Sequence, residues 1–338
     1  MKIVQATALD SIADYALRDA PVPEPGPGQV RIDVAVCGVG YVDALVSLGR
    51  YQVKPPLPHI PGQEVAGRVA ALGEGVSGLA LGDRVMATVR GGFAECALAD
   101  AQAVWRLPER LADAPAAGFR INHLTALHGL RDRARLQPGE TLVVLGAAGG
   151  VGMAAVQVGR AMGAQVIAVA STEAKRAYAL AHGAHRVLDS AVEGWRERLK
   201  AVCAELASSH TARPGPLGPD VVFDPLCGPL FEPAYRSLAW GGRHLVVGFV
   251  GGPIPALKAN LPLMKGASLV GVDVRQFGEY EPERARAQVD ELLQWAADGR
   301  LAPPVGREFA LGEFAEALNY AMGGQGLGKT VLRVAAGT

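Results

Sequence analysis

The residues Gly146-Ala147-Ala148-Gly149-Gly150-Val151-Gly152 stand between an apolar run (141–146) and a segment with Val151, Ala155, Val158 and Met162 at helical spacing. A strand that turns through small residues into a helix brings free backbone N–H groups and the positive end of a helix dipole to one point. That arrangement suits a pyrophosphate. Ala147, Gly149 and Gly152 fill the places where a dinucleotide fingerprint needs a tight turn, backbone approach and close helix–strand packing, with Gly150 and Val151 between them. A second group of residues lies at the end of the next apolar strand, QVIAVA, where Ser171 and Thr172 are followed by Lys175 and Arg176. An NAD site would carry an acid about 20 residues beyond the glycines, to accept from the ribose 2′-hydroxyl. None is there. Two cations in the first turn of a helix oppose its dipole by a few tenths of a kcal/mol, and a bound 2′-phosphate reverses that sign. Hydroxyl donors and Lys/Arg therefore point to NADP(H); the other reading of Lys175 and Arg176 is a solvated basic pair.

These residues need a sheet to hold them. Strands are expected over 141–146, 165–170, 186–189, 220–224, 243–249 and 267–272. Helices are expected over 151–162, 173–182 (closed by Gly183), 192–206 and 229–238. Alternating β and α with continuous apolar strands indicates a parallel, doubly wound sheet. The first 120 residues read differently. Val30, Ile32, Val34 and Val36 alternate with Arg31, Asp33, Ala35 and Cys37, a half-buried strand. Turn signals at Gly49, Pro61-Gly62, Gly73-Glu74-Gly75, Gly82-Asp83 and Gly91-Gly92 divide the rest into short strands of a barrel-like domain. Helix 282–297 and a strand over Thr330–Val334 fall outside the α/β repeat and are expected to pack on the first domain. The segment 207–219 is expected to be a surface excursion.

Composition bounds the partners. Lys+Arg and Asp+Glu are both 33 in 338 residues, so no basic excess points to nucleic acid or an anionic membrane. Hydrophobic content of 49% supports two cores. Glycine, at 43 residues, is nearly double the usual share of about 7%. Cys37, Cys96, Cys203 and Cys227 form no C-x-x-C pair, which argues against a disulfide framework or a structural zinc lobe. The N-terminus shows no secretory signal. The uncharged stretch 142–159 is long enough for a membrane span, but it is rich in glycine and closely flanked by Glu140 and Arg160. The chain reads as soluble and cytoplasmic.

Several blocks occur in order: CGVGYVDALVSLGRY (37–51), PGQEVAGRV (61–69), GDRV (82–85), GGFAE (91–95), NHLTALHGL (122–130), LQPGETLVVLGAAGGVG (136–152) and GKTVL (328–332). Together they resemble the medium-chain dehydrogenase/reductase superfamily, in its zinc-free NADPH:quinone oxidoreductase (zeta-crystallin-like) branch, over nearly the whole chain. The resemblance implies a GroES-like β-rich catalytic domain (1–119, completed by 271–338), a Rossmann domain binding NADP(H) (120–270) and a cleft between them. It also implies a homodimer joined through the strand near 267–272.

Zinc members of that superfamily carry a Cys, a His and a third ligand at positions that fall here on Gly40, Gln63 and the neighbourhood of Ile121. None of these is a thiolate or imidazole, and no metal is expected. The resemblance places Thr125 beside the nicotinamide carboxamide and Asp43 at the loop or ribose hydroxyls. Phe249, after the fifth strand of the series, is also expected at the cofactor. Lys329 reaches the pyrophosphate or is a surface lysine. Tyr51 matches a proton donor of related enoyl-thioester reductases, or packs at the cleft lip; Tyr41 is a second hydroxyl. Asn122 donates to a substrate carbonyl or fixes the domain junction. Arg120 faces substrate or cofactor, or serves the junction. The chain departs from the branch at Gly40, where Asn is usual, and at Asp189-Ser190, where Tyr is frequent.

Without a Lewis acid, hydride transfer to an isolated carbonyl is hard, because hydrogen bonds alone must hold the alkoxide. A quinone or an α,β-unsaturated carbonyl compound spreads the charge and is the expected small-molecule substrate. An enoyl-thioester (acyl-CoA type) reductase and an NADPH-binding protein with little catalysis are the alternatives.

Overall fold

Strand formation in the first part of the chain follows the alternation of its apolar residues. In the computed structural model, which describes residues 1–207 and 217–334, the strand Gln29–Val39 buries Val30, Ile32, Val34 and Val36 and exposes Asp33. Numbered along the chain, the strands are β1 (Lys2–Ala6), β2 (Tyr15–Asp19), β3 (Gln29–Val39), β4 (Glu64–Leu72), β5 (Arg84–Thr88), β6 (Cys96–Asp100) and β7 (Val104–Arg106). Two short helices accompany them, α1 (Tyr41–Ser47) and α2 (Asp113–Ala116). β3 is the axis of this unit, pairing antiparallel with β4 and β6.

The α/β series follows: α3 (Arg120–Leu127), a π-helical turn (His128–Arg133), β8 (Thr141–Leu145), α4 (Gly150–Ala161), β9 (Gln165–Ala170), α5 (Glu173–Ala181), β10 (Arg186–Asp189), α6 (Trp195–Ala207), β11 (Val221–Asp224), α7 (Phe231–Ser237), β12 (Arg243–Val246), α8 (Asn260–Lys265) and β13 (Ser268–Gly271). All neighbours in this sheet are parallel, in the order β10-β9-β8-β11-β12-β13. Renumbered from β8, that order is 3-2-1-4-5-6, the doubly wound arrangement of dinucleotide-binding sheets. The residues of β8 are buried throughout, as strands covered by helices on both faces must be. The fifth strand of the series is shorter than the expected 243–249, since its pairing with β13 ends at Val246 and Gly271.

The last elements are α9 (Val274–Tyr280), α10 (Pro282–Ala297), β14 (Val305–Ala310), α11 (Phe314–Met322) and β15 (Lys329–Arg333). β15 pairs with β3 and β14 extends the first sheet. Phe309, Phe314, Leu318 and Leu332 join Ile32, Val65 and Phe93 in the core of that unit. Two compact units result, residues 1–120, 293–299 and 304–338 in one and 121–292 and 300–303 in the other. The sequence placed 271–292 with the first domain. The structure groups these residues with the second unit, where polar ties hold them: Arg131 meets Glu291 at 2.6 Å, and Gln288 donates to Asp132 at 2.7 Å. The expected surface excursion 207–219 lies largely outside the described residues. Among the described residues, no helix is long and apolar enough to cross a membrane.

The second core gathers Val143, Leu145, Ile167, Val169, Leu199 and Tyr235. Ile167 is fully buried at the centre of β9. Ile167→Ala is expected to lower the unfolding free energy by about 3 kcal/mol, read from urea denaturation followed by far-UV circular dichroism.

Candidate functional site

In the second unit, β8 is followed by Gly146 at φ +59° and α4 begins after Gly149. Gly149 is extended (φ −80°, ψ 171°) and no side chain caps the helix. The first-turn N–H groups are therefore available to an anion. Gly152 cannot be replaced without moving backbone: a Cβ there would lie 2.3 Å from the Gly146 carbonyl oxygen. At Gly149, beyond its chain neighbours, the only atom of the described residues within 4 Å of an added Cβ is that same oxygen, at 3.5 Å. The loop is thus tight where helix meets strand and open on its outer side, the shape a pyrophosphate cradle requires. The Ala147 N–H donates to Val169 O at 3.2 Å, tying the loop to β9. Val151 and Gly150 form the first helical turn. Asn122 lies against that turn, its Nδ2 3.0 Å from where a Gly150 Cβ would be. Thr125 is buried, and its hydroxyl donates to Ile121 O at 2.6 Å.

At the end of β9, Ser171 and Thr172 are exposed. Thr172 caps α5, accepting from the Lys175 N–H at 3.3 Å. Arg176 donates to Ala170 O at 3.1 Å and pairs with Asp189 Oδ2 at 2.8 Å. Phe249 is exposed in the segment after β12.

Sequence reasoning missed one buried pair beside this loop. Asp224 and His244 are both fully buried, with His244 Nε2 3.0 Å from Asp224 Oδ2. The other carboxylate oxygen accepts from the Leu226 and Cys227 N–H groups at 2.9 and 2.8 Å. Cys227 is held at φ +46°, and the Leu226 side chain lies 2.9 Å from the position of a Gly146 Cβ. The pair thus fixes a turn that abuts the phosphate loop. Its sequence signal is the Asp-Pro step that ends β11, a turn initiator.

In the first unit, Asp43 is the third residue of α1. Its Oδ2 accepts from the Gly40 N–H at 2.8 Å and closes the first helical turn. Asp43 and Glu64 are both buried. The Lys329 ammonium stands 3.6 Å from Glu64 Oε2. Its side chain passes through a slot of bare backbone: a Cβ at Gly118 would lie 2.4 Å from Lys329 Cγ, and one at Gly38 would lie 3.0 Å from its Cε and 2.0 Å from Ala117 O. A Cβ at Gly40 would stand 3.5 Å from the ammonium and 3.2 Å from Asp43 Oδ2. Burial pushes the Asp43 carboxyl up to about 6, with Lys329 and the Gly40 N–H pulling the other way. Lys329 is accordingly not a surface lysine. Tyr41 opens α1 and Tyr51 lies in the bend beyond it, both half-buried. The Arg120 guanidinium stacks on Trp105 at 5.5 Å.

Residues 26–109 match the family model described as alcohol dehydrogenase GroES-like domain, and residues 150–295 the model described as zinc-binding dehydrogenase. The chain is 34% identical over 311 residues to a quinone oxidoreductase-like protein 2 homolog of Nematostella vectensis, covering 91% of this chain and 82% of that one. A probable oxidoreductase from Mycobacterium abscessus superposes with a TM-score of 0.86 at 35% identity, over 99% of both chains. A quinone oxidoreductase from Thermus thermophilus, solved also in complex with NADPH, superposes at 0.81 with 33% identity, over 99% of this chain and all of that one. The second model's description implies zinc, and the residues here do not fit it. Gly40 has no side chain, Gln63 replaces an imidazole, and a cation already stands beside Gly40. Among the described residues, no group of three His, Cys, Asp or Glu is placed to hold a metal ion.

The raised Asp43 carboxyl has a stability consequence. Its ordinary value is 3.8 and its folded value about 6, so the folded state binds the proton more tightly. That contribution is fully present below about pH 4 and lost as pH rises through about 6. Asp43→Asn keeps an oxygen for the Gly40 N–H and removes the charge. Its unfolding free energy relative to the parent chain should improve by about 2–3 kcal/mol between about pH 4 and about pH 7, measured by denaturant unfolding across pH.

Proposed function

This chain belongs to the quinone oxidoreductase branch of the medium-chain dehydrogenase/reductase superfamily, and from that membership we propose an NADPH-dependent, metal-independent oxidoreductase. Its acceptor is a quinone or the activated C=C of an α,β-unsaturated carbonyl compound. The observation that carries this reading is the uncapped N-terminus of α4 at the first β–α turn of a 3-2-1-4-5-6 sheet, with Ser171, Thr172, Lys175 and Arg176 instead of an acid at the end of β9. The neighbour from Thermus thermophilus, solved with NADPH, supports the same cofactor.

When bound, NADPH supplies hydride. The chain supplies the rest. The N–H groups of Gly150, Val151 and Gly152 take the pyrophosphate, joined by Lys329. Ser171, Thr172, Lys175 and Arg176 take the 2′-phosphate. Thr125, Asp43 and Phe249 complete the contacts to the cofactor. Tyr51, Tyr41 and Asn122 are the groups proposed to hydrogen-bond or protonate the acceptor oxygen. With no thiolate or imidazole set among the described residues to hold a Lewis acid, the reaction needs an acceptor that disperses its own charge, as an enolate or hydroquinone anion does.

Reductive NADPH chemistry and four free cysteines fit a reducing compartment, the cytoplasm. A homodimer is proposed through β13, the outer strand of the parallel sheet among the described residues, where Leu269 is exposed and follows the exposed Leu263 and Met264 of α8. An unpaired strand edge beside exposed apolar residues invites a second copy. Leu269→Asp is then expected to shift the sedimentation of the purified protein from dimer to monomer.

Activity is tested by following loss of the reduced nicotinamide absorbance with 1,4-naphthoquinone, a simple enone and crotonyl-CoA as acceptors. Turnover is expected with the quinone or the enone, and incubation with EDTA is expected to leave the rate unchanged. Abolition by EDTA with recovery on adding zinc would overturn metal independence. Crotonyl-CoA as the preferred acceptor would establish the thioester reductase instead. Tight NADPH binding without turnover on any acceptor would establish a binding protein.

A further inference from the structure

The cations read as the 2′-phosphate site do not stand alone. Arg176 Nη1 is 2.8 Å from Asp189 Oδ2. Asp189 ends β10 and lies in parallel register with Ala170, the last residue of β9. Its carboxylate therefore sits at the carboxyl edge of the sheet, one strand over from Ser171, where a sheet of this order binds the adenosine ribose. The carboxylate is held in place. Its Oδ1 accepts from the Ala191 N–H at 2.9 Å while Oδ2 faces Arg176. Arg176 is also anchored, by its bond to Ala170 O.

Two consequences follow from the charges. A 2′-phosphate carries about −1.5 to −2 at neutral pH. Beside Arg176 it meets the Asp189 carboxylate, which repels it and competes for the same guanidinium. A plain ribose offers hydroxyl donors instead, and a carboxylate accepts from them in a charge-assisted bond. The acid absent from the end of β9 is thus replaced by one from the neighbouring strand. Ser171 and Thr172 are compatible with either ligand.

We propose that Asp189 is a cofactor-selecting residue that restrains the preference for NADPH and lets this chain also use NADH. The proposal rests on the NADP(H) reading of this site. Asp189 accepts from the ribose hydroxyls of NADH, and it draws on Arg176 when the 2′-phosphate of NADPH arrives.

The test is Asp189→Asn, which keeps an oxygen for the Ala191 N–H and removes the charge. Dissociation constants for NADPH and NADH are measured by nicotinamide fluorescence on parent and variant, alongside the thermal midpoint. The parent should bind both, with NADH no more than about a hundredfold weaker. In the variant, NADPH should tighten and NADH weaken, moving the ratio of the two constants by about tenfold or more. A purely structural lesion would weaken both cofactors together and leave the ratio in place. If Asn does not give folded protein, Ser, whose hydroxyl can also accept from the Ala191 N–H, carries the same measurement. A parent that binds NADPH with an unchanged ratio in the variant overturns the role of Asp189 alone. A parent that binds neither cofactor overturns the NADP(H) reading and this proposal with it.

Discussion

The approach of α4 to the end of β8 is the constraint on which the second unit depends. Gly152 meets the Gly146 carbonyl where no side chain could stand. That contact aims the uncapped start of a twelve-residue helix at the carboxyl edge of the sheet. The rest of the unit is arranged along the same edge. Ser171 follows β9, Asp189 ends β10 and Asp224 ends β11. Parallel strands put all their carboxyl ends on one side, so residues far apart in sequence become neighbours without any further device. The requirement is a sheet buried on both faces, met by the continuous apolar runs of β8 and β9.

The first unit solves a different problem, the burial of charge. Asp43, Glu64 and Lys329 share one interior region, and the Arg120 guanidinium also acts on Glu64. Removing such groups from water is expensive unless they are paired. Lys329 reaches its place only because Gly38 and Gly118 leave the backbone bare along its alkyl chain. Burial outweighs the pull of Lys329 and of the Gly40 N–H, and the raised Asp43 carboxyl is the response. Gly40 belongs to the same arrangement. A longer side chain there would crowd the ammonium and Asp43 together.

Much of the fold was legible because its signals are local. The loop 146–152 carries its turn, its helix start and its close packing in seven consecutive residues. The alternation of β3 and the continuous strands of the sheet are read from periodicity alone. The helix 282–297 was legible as a helix, but the grouping of its residues up to 292 with the second unit was not, since Arg131–Glu291 and Gln288–Asp132 join positions more than 150 apart. The same limit hid Asp224–His244, 20 residues apart. The composition showed an excess of glycine, and only the three-dimensional contacts separate Gly152, which packs helix on strand, from Gly118, which makes room for a lysine.

Both units pair their key cations with resident carboxylates, Arg176 with Asp189 and Lys329 with Glu64. This has a general effect on anion recognition. An unpaired cation would bind any phosphate strongly and with little discrimination. A cation already partnered yields only the difference between the incoming anion and the acid it displaces. Affinity is lowered by that amount, and the identity of the resident acid becomes a determinant of choice. At Arg176 the resident acid stands beside the position that distinguishes one nicotinamide cofactor from the other. A change of one side chain there alters preference without disturbing the glycine loop, because the loop's donors are backbone and see the part of the ligand that both cofactors share.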